Sequence, residues 1–175
     1  MNPSMTDSAV KAAIAAIASE SATTEEKIQM LIEMALGFQK KPKTSQDLRN
    51  AVSLYYRAYQ MCGEDYPLLK AKALVGMAGT LGTIPDGGSE LLLQAKAGYE
   101  EAIPILQQLA SKEEAAEAQM NFGLVLQSLV PLNLARMTDS IQAYHEALRV
   151  FTWQAEWIVS RNGSVWLLLC IILRV

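Results

Sequence analysis

The chain has 175 residues, of which 51% are hydrophobic and 19% charged, with a formal net charge of −3. That balance belongs to a globular chain with one domain's worth of core, not to a disordered one. It excludes nucleic-acid binding through clustered cations: the nearest basic group, Lys40, Lys41 and Lys43 around Pro42, reads as a solvated turn.

Residues 6–20 are alanine-rich, with Ile14 and Ile17 set against Lys11 and Glu20, which predicts a short amphipathic helix. It is expected to cap the first helices of the main body, a flexible tail being the alternative. Asp7 ahead of this stretch and Lys11 within it do not fit a signal peptide, so a cytoplasmic protein is expected. Thr23-x-x-Glu26 then has the spacing of a capping box.

From there the chain alternates two kinds of segment. Three segments share one pattern, AVSLYYRAY (51–59), AKAGYEEAI (95–103) and SIQAYHEAL (140–148). Their tyrosines, Tyr55, Tyr99 and Tyr144, recur after 44 and 45 residues. In each copy a small residue (Ala51, Ala95, Ser140), the tyrosine and an alanine (Ala58, Ala102, Ala147) fall at i, i+4 and i+7, on one helical face. Small residues there let a second helix come close while the tyrosine fills the space beside them. The pattern is one of packing.

Ahead of each copy lies an apolar stretch with a glycine at Gly37, Gly79 and Gly123, spaced by 42 and 44. A glycine inside a helix costs about 1 kcal/mol relative to alanine. Its recurrence predicts a crossing too close for a Cβ, and Gly76 competes with Gly79 for that role. Each unit therefore reads as helix A, loop, helix B. Ser111-x-x-Glu114 and Pro67 mark starts of A helices; Thr44 or Ser45, Ser89, and Thr138 or Asp139 are the expected caps of B helices. Pro42, Pro85 with Gly87 and Gly88, and Pro131 sit in the A–B connections, and Pro104 should kink the second B helix.

These residues resemble the tetratricopeptide repeat, which pairs a helix carrying an apolar-Gly motif with one carrying Ala-x3-aromatic-x2-Ala. The resemblance covers about 25–155. Its common repeat is about 34 residues, whereas the period here is 44–45, like the long-loop variant of bacterial repeat proteins, with the extra length expected in the A–B loops. It implies an all-α protein, an α-solenoid of three helical hairpins with an extra helix at each end. The domain reading is a capping helix or tail at 1–24, repeats at 25–155 and an atypical segment at 156–175.

The resemblance also implies a concave groove lined by A helices. Alignment on the three glycines assigns Leu31, Met34 and Phe38, then Ala73, Gly76 and Thr80, then Glu117, Met120, Leu124 and Gln127 to it. The lining is largely apolar and suits an apolar or amphipathic segment of a partner. The clamp by which some family members hold a terminal carboxylate lacks its basic residues, although Asn121 matches one position.

The C-terminal stretch is unlike the repeats. Val165 to Leu173 are nine consecutive apolar residues, short of the roughly 20 that a membrane span needs. A buried partial helix, an abnormal end of the reading frame and a hydrophobic docking segment are the open readings. No residue set points to chemistry. His145 is the lone histidine, Cys62 and Cys170 are far apart, and neither a metal set nor a phosphate-binding loop is present. The expectation is a non-enzymatic scaffold or adaptor that needs no cofactor and binds another protein or peptide. The alternative is a homo-oligomerisation module that uses the apolar C-terminal segment.

Overall fold

The computed structural model describes residues 8–85 and 87–162. Seven α-helices account for most of this stretch: α1 Ser8–Ser19, α2 Thr24–Lys40, α3 Ser45–Cys62, α4 Pro67–Thr83, α5 Gly88–Leu109, α6 Lys112–Leu129 and α7 Met137–Asn162. A single 3-10 turn, Val130–Leu132, precedes α7, and no strand occurs among the described residues. The apolar segment Val165–Leu173 and Cys170 lie outside the described residues.

Local chemistry sets most of the boundaries. Thr23 caps α2 by accepting from the Glu26 amide, and the Glu26 carboxylate accepts from the Thr23 amide at 2.8 Å. Thr44, not Ser45, caps α3 in the same reciprocal way with Asp47. Pro67 opens α4, where its missing N–H costs nothing. Ser111 accepts from the Glu114 amide at 3.2 Å, but the Glu114 carboxylate turns away to Lys72 of α4 at 3.0 Å. That capping box is thus half made, and its carboxylate bridges two helices instead. Gly88, at φ +60°, opens α5, so Ser89 falls inside the first turn and does not cap it. Thr138 and Asp139 likewise fall inside α7, and Asp139 is held by the Arg136 guanidinium at 3.0 Å. Pro104 is exposed, and α5 runs unbroken through it to Leu109.

The helices pack in adjacent pairs, α2 on α3, α4 on α5 and α6 on α7, and each pair also contacts the next through α3 on α4 and α5 on α6. The α1 helix lies on α2 and α3, with Val10 and Ile17 buried there. The extra length of the 44–45-residue period resides in the helices, which run to 17–22 residues from α2 to α6, rather than in the loops. The A–B connections are only 41–44 and 84–87, and only the third, 130–136, is longer.

The repeated packing positions are buried where the spacing puts them. Ala51, Ala58, Ala95, Ala102, Ser140 and Ala147 are all inside, with Tyr55 and Tyr99. Ser140 stands where the other copies have alanine, and its hydroxyl donates to the Gly123 carbonyl at 3.0 Å, so the buried polar atom is satisfied. The Tyr55 hydroxyl donates to Gln39 at 2.8 Å and that of half-buried Tyr144 to Gln127 at 2.9 Å, each tying a B helix to its A helix.

Of the three glycines expected at close crossings, Gly123 and Gly79 are closely approached and Gly37 is not. A Cβ on Gly37 would meet nothing within 4 Å, so no close crossing requires that glycine. Ala35 of α2 is buried in one core with Ala51, Leu54 and Tyr55 of α3, Ala78 lies against Gly98 of α5, and Gly123 lies, as expected, under the Tyr144 ring. The tightest site is Gly76, where a Cβ would overlap the Tyr55 ring of the preceding pair. Gly79 is only close-fitting, with the Tyr99 hydroxyl 3.1 Å from a would-be Cβ. Gly98, which receives α4, carried no signal in the repeat pattern because its counterparts before Tyr55 and Tyr144 are Leu54 and Ala143.

Candidate functional site

The residues assigned to a groove on the A helices do not form one surface. Leu31 and Thr80 are fully buried, Thr80 donating its hydroxyl to the Gly76 carbonyl at 2.7 Å, so neither presents an atom to a groove. Ala73 is buried as well. Leu31 lies one turn before the buried Ala35, and Thr80 lies one turn after Gly76, whose face meets the Tyr55 ring of α3, so both are carried inward. Met34 and Phe38 are half-buried and, with Gly37, Lys41, Lys43 and Asp47, line an open cleft of ≈ 390 Å³ at the end of α2. Glu117, Met120, Leu124 and Gln127 are exposed on α6.

Leu124 and Met120 belong to a larger apolar face. Phe122 and Leu126 of α6, with Asp139, Gln142, Ala143 and Glu146 of α7, line a cleft of ≈ 280 Å³ toward Lys96 and Glu100 of α5. Leu124 is two residues from Phe122 and from Leu126, which is about 200° of helical rotation, and so points away from α5. Ile141 stands in the same relation to Asp139 and Ala143. The side of the α6–α7 pair remote from α5 therefore carries Met120 (39% exposed), Leu124 (52%), Met137 (49%), Ile141 (47%) and Leu148 (53%).

The internal repeat shows what this face is built like. The counterparts of Met137, Ile141 and Leu148, counted from the tyrosines, are Leu48, Val52 and Tyr59 on α3 and Leu92, Lys96 and Ile103 on α5. Leu48 (7%) and Val52 (2%) are buried in one core with Ala71, Leu74 and Ala78 of α4. Ile103 is buried in the same core as Ala115 and Ala118 of α6, and Leu92 packs against it. Lys96 alone is polar, and it lies 3.7 Å from Glu100. Positions sealed by the following helix in the first two pairs are therefore bare in the third.

The polar cleft between α5, α6 and α7 pairs its Glu146 carboxylate within itself. The Gln119 amide nitrogen donates to Glu146 at 2.7 Å, and Gln142 donates to the other Glu146 oxygen at 3.1 Å. Gln119 Oε1 is buried there with no hydrogen-bond partner. Nothing in this cleft resembles an acid–base pair. His145 is exposed on α7, next to the apolar face.

The shifted titrations have structural causes. Burial pushes the Tyr55 phenol up to about 12, and that of Tyr99 further still. Burial also pushes the Cys62 thiol up to about 11, the Lys70 charge opposing it, so the thiol is protonated at neutral pH and is no nucleophile. Hydrogen bonds from the Thr23 and the Lys43 and Thr44 amides hold Glu26 and Asp47 below the usual carboxylate range. Lys70 is held up by its hydrogen bond to Glu64, and also lies 3.8 Å from Glu101 and over the Tyr59 ring. All of these are packing or capping effects.

Among the described residues no group of three or more His, Cys, Asp or Glu is placed to hold a metal ion, and no helix is long and apolar enough to cross a membrane. No protein-family model, curated protein or solved structure matches the chain.

Proposed function

We propose that this chain is a non-enzymatic interaction module, a tetratricopeptide-like α-solenoid whose open end binds an amphipathic helix of another protein chain. The observation that carries the reading is the bare apolar face of α6 and α7, whose counterparts on α3 and α5 are covered by α4 and α6. Exposed contiguous apolar surface on a folded chain marks an interaction site. The internal precedent adds the form of the ligand: a helix with small and branched apolar side chains on one face, as in α4 and α6. The three repeated Ala-x3-Tyr-x2-Ala copies, or Ser in the third, and the stacking of each helix pair on the next support the solenoid reading. The binding surface thereby moves from a groove along the A helices to the end of the stack.

The probe for this surface is a fluorescein-labelled peptide with the sequence of α6, Lys112–Leu129, the helix that seals the equivalent face of α5. Its fluorescence anisotropy should rise on titration with the protein. The double variant Leu124→Glu, Leu148→Glu should weaken that binding at least about tenfold, since each substitution buries a charge where an apolar side chain was expected. Equal binding by the variant overturns the assignment of this face.

A further inference from the structure

The open face raises the question of what covers it, and α7 itself supplies an answer. The α3 helix ends at Cys62 and α5 at Leu109, which correspond to positions 151 and 154 when aligned on the tyrosines. There the first two pairs turn back, and the returning helix seals the face. The α7 helix does not turn: it continues through Asn162, making 26 residues against 18 in α3 and 22 in α5. Val150 already lies beside Lys112, the first residue of α6. The last turns of α7 therefore run beyond the end of the helix on which it packs.

The sequence of α7 has a second periodicity besides the packing signature. Met137, Ile141, Tyr144, Leu148, Phe151, Ala155, Ile158 and Asn162 alternate steps of four and three residues from one end of the helix to the other. Seven of the eight are apolar or aromatic. An alternating four–three spacing sustained for more than three heptads is the seam by which one long helix pairs with another. In the described part of the seam Met137, Ile141 and Leu148 are exposed, and Tyr144 and Phe151 are half-buried at its edge.

From these observations we infer that two copies of this chain pair through α7, the seam of each helix covering the open α6–α7 face of the other. A two-fold pairing meets both needs at once, because the same surface occurs on both copies and is self-complementary. It gives the bare face its covering helix and gives the overhanging end of α7 a surface to lie on. A helix of 26 residues is about 39 Å long, enough to span the face from Met137 to Leu148 and its own overhang. The inference rests on the reading of that face as a helix-binding surface and names its occupant as a second copy.

Sedimentation velocity of the full chain over a range of concentrations tests it. The expected species has twice the 19.2 kDa chain mass. Ile141→Glu and Leu148→Glu should each weaken the dimer at least about tenfold, with circular dichroism and melting of the monomer unchanged because both side chains are already exposed. Leu109→Glu, an exposed apolar residue at the end of α5, should leave the dimer intact. A monomer at every concentration overturns the inference, as does a dimer insensitive to both substitutions. The α6 peptide then separates the two levels. A monomer that binds the peptide in an Ile141- and Leu148-dependent way removes the dimer but keeps the binding face, whereas a monomer that does not bind removes both.

Discussion

Gly37 and Gly76 look alike along the chain and are opposites in the fold. Adding a Cβ at Gly37 meets open space, so Gly37→Ala should stabilise the protein by up to about 1 kcal/mol through helix propensity alone. The same change at Gly76 drives a methyl group into the Tyr55 ring and should cost about 1–3 kcal/mol. Urea denaturation of the two variants checks both signs, and equal effects would refute the packing register of α2 and α4. Cys62 offers a second measurement. In a Cys170→Ser background the remaining thiol should stay silent to Ellman's reagent at neutral pH and react on unfolding, because burial keeps it protonated and covered. Prompt reaction of the native protein would contradict its placement in the core.

Helices α2 and α3 each begin at a reciprocal capping box, and these make stability depend on pH. Glu26 and Asp47 have folded pKa values below their ordinary ones, so the native state favours their charged forms. Their contribution is complete above the ordinary carboxylate range and is lost as pH falls through the depressed folded values. The melting temperature should therefore decline below about pH 4, and Asp47→Asn should make that decline shallower. A decline unaltered by Asp47→Asn would show that the cap contributes nothing there. Thr44→Ala should lower stability by about 1 kcal/mol at neutral pH, measured by chemical denaturation. The Thr23–Glu26 box was visible in its spacing and Thr44 was one of two expected caps of α3, since a cap involves only residues within one turn, but the return bond from Asp47 was not singled out. The third box was legible only in part: Ser111 caps α6, but Glu114 is drawn to Lys72, forty-two residues away along the chain.

At the scale of the whole molecule the two ends differ. The first pair is covered by α1 through Val10 and Ile17, whereas the third presents Met120, Leu124, Met137, Ile141 and Leu148. Ile17→Ala should accordingly cost about 2 kcal/mol, read from denaturation midpoints, while Leu148→Ala should leave the stability of the monomer within about 0.5 kcal/mol. A large loss at Leu148 in the monomer would mean that the face is already covered by the chain's own residues.

The sequence by itself determined the helices, their alternation and the inward face of every B helix, because a helical period and a cap are properties of neighbours along the chain. Tyr55, Tyr99, Ala58 and Ala102 are buried where that period puts them. Only the tertiary structure decided which small residue lies under each crossing, since that depends on how two helices are set against each other. Gly37 meets open space while Gly76 lies against the Tyr55 ring, and Leu31 and Thr80, one turn from Ala35 and from Gly76, went into the core. It also decided which apolar stripes are interior. Leu48 on α3 and Met137 on α7 occupy the same position of the repeat, yet Leu48 is buried in one core with Ala71 and Leu74 of α4 while Met137 is half exposed, a difference of packing that the shared pattern does not carry.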